Sequence, residues 1–301
     1  MTTIIPDAFA QTMLELHGDE GADWLAQLPT LIADCEKRWS LTVQPPFPDL
    51  SYNYAAPAVR ADGTAAVLKI GVINPELLSE IAALRHYNGR GIVRLLDADP
   101  EQGILLLERL QPGTPLIALD DDEAATAVAA QVMQQLWQPA PSEHSFPTVA
   151  RWARGMDRLQ SEFDDGFGPF PKRLVETAVA LFRELLPSQA DPVLLHGDLH
   201  HWNILQAQRE PWLALDPKGV IGEPAYEIGA WLRNPVDRLT TWPDLKRIQQ
   251  RRIAQLADIL ALDRQRLVGW GIAQAVLSAW WSYEDHGRVG DVALACAESL
   301  L

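Results

Sequence analysis

The chain has 301 residues, 48% of them hydrophobic, and a net charge of -15 from 25 Lys and Arg against 40 Asp and Glu. That apolar share excludes wholesale disorder. The acidity, with no dense Lys/Arg run, excludes nucleic acid as an expected partner and suits attraction of a cation instead. Two cysteines, Cys35 and Cys296, sit near opposite ends and supply no disulfide framework. Residues 1–10 carry no basic-then-apolar leader, and no apolar run approaches the roughly 18 residues of a membrane helix. The expectation is a cytoplasmic protein without a membrane partner.

Residues 6–40 place Leu14, Trp24, Leu25, Leu28, Leu31, Ile32, Cys35 and Trp39 at spacings near three and four, which predicts helix. Pro29 is expected to open a second helix there. Gln44-Pro45-Pro46-Phe47-Pro48 is a rigid breaker. Segments 52–59 and 64–70 then read as strands around Asp62-Gly63, a hairpin signal. Asn74 and Pro75 fit the N-cap and first position of a helix running to about Tyr87. Segments 92–99 and 103–107 read as further strands. Beyond Pro112, helical spacing covers 121–138, 148–163, 171–186, 243–260 and 263–283, interrupted by strand-like 193–196, 204–206 and 212–216. The predicted class is α+β in two lobes. A small β-sheet lobe with one helix spans 1–110, including a helical extension over 1–45, and a larger, mainly helical lobe spans 111–301.

Chemistry concentrates in His196-Gly197-Asp198-Leu199-His200-His201-Trp202-Asn203-Ile204-Leu205. An Asp followed five residues later by an Asn suits phosphoryl transfer. The carboxylate orients a hydroxyl and accepts its proton, and the amide oxygen ligates Mg²⁺ without adding charge beside a triphosphate. Asp216, thirteen residues on and ending an apolar strand, is placed to hold the same metal. Two competing readings are a zinc cluster of His196, Asp198, His200 and His201, and a polar turn without chemistry.

Lys69 stands in the apolar run Ala66-Val67-Leu68-Lys69-Ile70, and a buried Lys needs a partner. Glu80 inside the following helix is the candidate, with Glu76 one turn earlier as runner-up; the competing reading is a strand-edge Lys facing water. The stretch before Lys69, including Ser51 and Asn53, contains no glycine from Ser51 to Pro57, so Ser51, Asn53 and backbone N–H groups are the candidates for holding phosphates. No G-x4-G-K-[ST] occurs, which excludes a P-loop NTPase. Lys218, Glu223, Tyr226 and Glu227 read as fixing the turn and helix start after Asp216, with Glu227 in the first or second turn. Trp231, Trp242, Trp270, Trp280 and Trp281 read as core of the helical lobe, against a sugar-stacking role for one of them.

His196-Gly197-Asp198-x4-Asn203 with Asp216 resembles the aminoglycoside phosphotransferase family, small-molecule kinases with a protein-kinase-like fold. Leu215-Asp216-Pro217-Lys218-Gly219, Gly222-Glu223-Pro224-Ala225-Tyr226-Glu227-Ile228 and the stretch Ser278 to Gly287 narrow the resemblance to the streptomycin 6-kinase branch, the aminoglycoside and hydroxyurea resistance kinases. The resemblance implies Asp198 as catalytic base, Asn203 and Asp216 on Mg²⁺, and Lys69 with Glu80 on the phosphates of ATP. It also implies backbone groups of Glu108, Arg109 and Leu110 on the adenine. The expected acceptor is a hydroxyl of a small cationic molecule, streptomycin or a related aminoglycoside. The rivals are a choline, homoserine or thio-sugar kinase and a nucleotide-binding module without turnover. Two acids at a helix C-terminus, Glu284 and Asp285, are locally unfavourable, which predicts that a substrate cation compensates one of them, Glu284 first and Asp285 as its alternative; the competing reading is a solvated helix end without a role.

Overall fold

The computed structural model describes residues 5–164 and 166–301; the first four residues of the expected N-terminal extension lie outside that set. Two units emerge, Met1–Gln111 and Pro112–Leu301.

In the first unit, α1 (Asp7–Trp39) follows the apolar spacing, but its interruption is at Gly18 (φ 55°, ψ -127°). Pro29 lies inside the helix and does not open a new one. Glycine takes the left-handed angle without steric cost, and the burial of Trp24, Leu28, Ile32 and Cys35 around Pro29 offsets its missing N–H. Those side chains, with Phe9 and Met13, pack on Tyr54, Ala56, Leu68 and Ile70.

These last four belong to an antiparallel sheet of β1 (Leu41–Val43), β2 (Tyr54–Arg60), β3 (Ala65–Ile70), β4 (Leu95–Asp99) and β5 (Ile104–Glu108), in the order β1-β2-β3-β5-β4. The β2–β3 turn is the expected one. Gly63 takes φ 83°, and the Asp62 carboxylate accepts the Thr64 N–H at 2.9 Å. Between β3 and β4 runs α2 (Pro75–Tyr87), capped by the Asn74 side chain, which accepts from Leu77 N–H at 2.9 Å. β1 was not anticipated. It has three residues and is held by register with β2, Leu41 opposite Arg60.

The second unit contains α3 (Asp122–Leu136), β6 (Gln138–Pro139), α4 (Val149–Ala153), α5 (Gly155–Glu162), α6 (Lys172–Leu185), β7 (Val193–Leu195), β8 (Ile204–Gln206), β9 (Trp212–Ala214), β10 (Val220–Gly222), α7 (Ile228–Leu232), α8 (Val236–Leu239), α9 (Leu245–Leu260), α10 (Arg264–His286) and α11 (Asp291–Leu300). The expected helix over 148–163 is two short helices divided at Arg154, and Gly155 at the start of the second lies so close to α10 that a Cβ would meet Leu277 at 2.5 Å. α7 stands where a helix start near Glu227 was expected; β10, α8 and α11 were not anticipated. Most of α10 from Leu267 to Trp280 is buried on every side, the mark of a central helix. β10, β7 and β6 form one antiparallel sheet, and β8 and β9 form a hairpin that presents the residues described next. Among the described residues no helix is long and apolar enough to cross a membrane.

Candidate active site

In the second unit, the hairpin register explains why residues far apart in sequence meet. Ile204 pairs with Ala214, so Asn203 and Leu215 stand opposite at its open end, where the Leu215 N–H donates to the Asn203 carbonyl at 3.0 Å. Asp216 follows directly, with φ 58°, a left-handed angle that Asp tolerates better than most residues. The Asn203 side-chain Nδ2 donates to the Asp198 carbonyl oxygen at 3.0 Å. That commits the amide nitrogen and fixes the orientation of Oδ1. The chain on both sides is tied to His196, whose carbonyl accepts N–H groups from Lys218 (2.8 Å) and Gly219 (3.2 Å).

His196 is fully buried and neutral. Burial pushes its ring down to about 4. Nε2 lies 2.8 Å from the Leu215 carbonyl and so carries the proton. Nδ1 accepts the Asp198 N–H at 3.2 Å. With both nitrogens engaged by backbone, His196 has none to offer a metal, and among the described residues no three His, Cys, Asp or Glu side chains converge to hold one. The zinc reading is corrected on both grounds.

The Asp198 carboxylate receives the Arg233 guanidinium on Oδ1 at 3.1 Å and faces the His200 ring at 3.6 Å from Oδ2. Burial acts to raise its pKa, but contact with His200 and the charges of Arg233 and Lys218 outweigh it and hold the carboxyl well below the usual carboxylate range. Glu227 lies beneath. Its Oε2 accepts the His196 N–H at 2.7 Å and its Oε1 the Gly197 N–H at 2.9 Å. Burial, against those two hydrogen bonds and with the Asp198 charge adding to it, pushes Glu227 up to about 7. Gly197 is required between them: φ is 84°, and a Cβ would come within 2.9 Å of Trp152 and 3.0 Å of Val220.

In the first unit, Lys69 on β3 and Glu80 on α2 form a two-pronged ion pair, Nζ to Oε1 at 2.7 Å and to Oε2 at 2.8 Å, with both residues buried. Glu76 is exposed and Lys69 does not face water, so the runner-up partner and the strand-edge reading are corrected. Asn53 opposes Gly71 at the open end of the β2–β3 pair. Its Oδ1 sits where a Gly71 side chain would be, 2.0 Å from an added Cβ. Ser51 is exposed in the same connection, residues 44–53, which has no glycine. Glu108 ends β5 and is tied to Arg94, its Oε1 accepting the Arg94 N–H at 3.1 Å; Arg109 and Leu110 follow, half-buried.

At the C-terminal end of α10, Glu284 is held by Arg158, Nε to Oε1 at 2.6 Å and Nη2 to Oε2 at 2.9 Å, while Asp285 is exposed. The guanidinium that the sequence asked of a substrate is thus present in the protein itself. Trp231, Trp270 and Trp280 are core, and Trp242 and Trp281 are half-buried. Glu223 accepts from the Arg266 guanidinium at 2.7 and 2.8 Å and from the Trp270 indole N–H, so it anchors the start of α10.

Sequence reasoning missed Arg233, Arg158 and the grip of Glu227 on the loop that carries Asp198. Arg233 and Arg158 carry no motif signal, being 35 and 126 residues from their partners.

The description "aminoglycoside/hydroxyurea antibiotic resistance kinase" matches residues 38–286. The chain is 34% identical to a streptomycin 6-kinase of Streptomyces glaucescens, covering 98% of this chain and 96% of that protein. It is 34% identical to a hydroxyurea phosphotransferase of Kitasatospora aureofaciens, covering 99% and 86%. Among solved structures, an aminoglycoside phosphotransferase in ternary complex with ADP and hygromycin B aligns with TM-score 0.58 at 15% identity, covering 89% of this chain and 97% of that one. The fold is protein-kinase-like, the protein is a phosphotransferase, and the chain belongs to the aminoglycoside/hydroxyurea antibiotic resistance kinase family.

Proposed function

We propose that this kinase transfers the γ-phosphate of ATP, with Mg²⁺, to a hydroxyl of streptomycin or a closely related aminoglycoside, in the cytoplasm. The observation that carries the reading is the convergence of Asp198, Asn203 and Asp216 at one end of the β8–β9 hairpin. The near-full-length similarity to streptomycin 6-kinases supports the acceptor.

Asn203 offers a carbonyl oxygen and Asp216 a carboxylate, a hard oxygen donor set that fits Mg²⁺. When bound, the ion neutralises phosphate charge. Asp198, kept ionised by Arg233 and His200, orients the acceptor hydroxyl. A carboxylate this weakly basic takes the proton late, which suits a loose phosphoryl-transfer transition state in which positioning supplies most of the rate. Lys69, fixed by Glu80, is assigned to the nucleotide phosphates, with Ser51, Asn53 and nearby backbone N–H groups. The backbone of Glu108, Arg109 and Leu110 is assigned to the adenine.

The acceptor's cation is assigned to the end of α10. The Arg158–Glu284 pair is partly exposed, at 51% and 27%, and such pairs are worth about 0–1 kcal/mol. A substrate guanidinium or ammonium can therefore take the place of Arg158 on Glu284, with Asp285 as the alternative acid. The net charge of -15 favours the approach of a cation.

Hydroxyurea is the second acceptor to test, on the similarity to a hydroxyurea phosphotransferase. A coupled assay of ATP consumption over streptomycin, hydroxyurea, choline, homoserine and a thio-sugar decides. Streptomycin should give the highest kcat/KM, and all turnover should cease on chelation of Mg²⁺. Turnover of choline or homoserine alone would move the protein to metabolite kinases, and no turnover at all would leave a nucleotide-binding module.

A further inference from the structure

Arg233 directly follows α7, and its backbone N–H donates to the Gly229 carbonyl at 3.3 Å. Its side chain reaches Asp198 through a single contact, Nη2 to Oδ1 at 3.1 Å. Lys69 with Glu80, and Arg158 with Glu284, are by contrast gripped through both carboxylate oxygens. One contact alone leaves a guanidinium free to swing about it. The second point of attachment comes from α10, where Gln274 Oε1 accepts Nη1 at 3.2 Å. A guanidinium only donates, so the oxygen of that amide, and not its nitrogen, faces Arg233.

Gln274 is 1% exposed, and from Gly271 to Leu277, all buried, it is the one polar side chain. An amide buried among apolar groups costs free energy unless it is hydrogen-bonded, and packing alone would be served by Leu or Met. α7 makes room for it. At Gly229 an added Cβ would come within 2.7 Å of both Cδ and Oε1 of Gln274. The same short helix therefore seats the amide at Gly229 and, one turn later, delivers Arg233 to it.

We infer that Gln274 is a positioning residue for phosphoryl transfer: it fixes Arg233, and Arg233 holds the Asp198 carboxylate by Oδ1 so that Oδ2 is presented to the acceptor hydroxyl. Oδ2 lies 3.6 Å from the His200 ring. The Asp198 side chain is 26% exposed against 13% for Arg233, so the carboxylate is the more open of the two to an incoming molecule. The inference rests on the reading of Asp198 as the group that receives the hydroxyl, and not on which acceptor supplies it. A misplacement of 1 Å at a reacting group costs about 10²-fold in rate. A brace one side chain removed from Asp198 therefore governs turnover without touching substrate.

Chemical rescue tests it on the full-length protein, with whichever acceptor the wild type turns over best. Gln274→Met keeps the side-chain shape and removes the accepting oxygen. Its kcat should fall at least about tenfold with the KM for ATP unchanged. Arg233→Ala should fall further and leave a gap between Asp198 and Gln274 that fits a guanidinium ion. Guanidinium at about 20 mM, far below the concentrations that unfold proteins, should restore at least about tenfold of the lost kcat. Urea, of the same shape but uncharged, and sodium chloride should restore none. The double variant Arg233→Ala, Gln274→Met should not be rescued. In the wild type, ¹⁵N NMR should show two distinct Nη resonances for Arg233, identified by their loss in Arg233→Lys, because both nitrogens are held. Full kcat in Gln274→Met, equal rescue of the single and double variants, or one averaged Arg233 Nη resonance would overturn the inference; the last decides even if Gln274→Met fails to fold. Absence of wild-type turnover with every acceptor would instead strike the reading of Asp198, while the NMR still judges the brace.

Discussion

Glu227→Gln separates the two things Glu227 does. In the folded protein its carboxyl is pushed up from 4.5 to about 7, chiefly by burial. A raised folded-state value means that the side chain's contribution to stability is fully present below 4.5 and is lost as pH rises through 7. The shift of roughly 2.5 units corresponds to about 3 kcal/mol. Glutamine stays neutral and does not incur that loss. At the acid end of the window the variant should cost about 1 kcal/mol, the price of setting an amide against the N–H groups of His196 and Gly197. Above pH 7 it should match or exceed the wild type in stability. Urea unfolding at several pH values, with the slope on denaturant unchanged, measures the difference. Turnover should behave otherwise, falling about tenfold or more at every pH, because the loop bearing Asp198 shifts and a 1 Å misplacement costs about 10²-fold. A wild-type advantage that grows with pH, or a variant with full turnover, would refute the reasoning.

Gly197→Ala should lose about 1–3 kcal/mol for the left-handed backbone alone, more for its contacts with Trp152 and Val220, and thermal melts should show it. Asp122→Ala leaves the fully buried Arg252 guanidinium with only carbonyl and ring partners and should cost about 3–5 kcal/mol by denaturant unfolding. Arg158→Ala should barely change the melting temperature, since the pair is partly exposed. It should lower the KM for the cationic acceptor while leaving that for ATP unchanged; equal KM values for the acceptor in variant and wild type would remove Glu284 from the substrate wall.

Sequence was most informative where a feature is local. Asn74-Pro75 starts α2 because both act within one turn, and Asp62-Gly63 makes its hairpin through a single side-chain bond. Asp198, Asn203 and Asp216 were legible because one loop and the short hairpin it leads into carry all three, so their spacing records their geometry. The break in α1 was misplaced because proline is the stronger signal, whereas Gly18 holds the unusual angle and Pro29 is carried by the packing around it. Strands of three residues, β1 and β10, are too short for any period and exist through their partners. The groups that pair with Asp198 and Glu284, Arg233 and Arg158, come from other elements. Their roles follow from tertiary packing, which no spacing encodes.

The most direct measurement follows labelled phosphate from γ-labelled ATP onto streptomycin, with Asp198→Asn beside the wild type and nucleotide affinity measured for both. Label should appear on a streptomycin hydroxyl with the wild type. Asp198→Asn, which removes the proton acceptor, should lose about 10²–10⁴-fold, while ATP binds both proteins alike. Label transferred at the wild-type rate by Asp198→Asn, or no label on any aminoglycoside from the wild type, would contradict the proposed function.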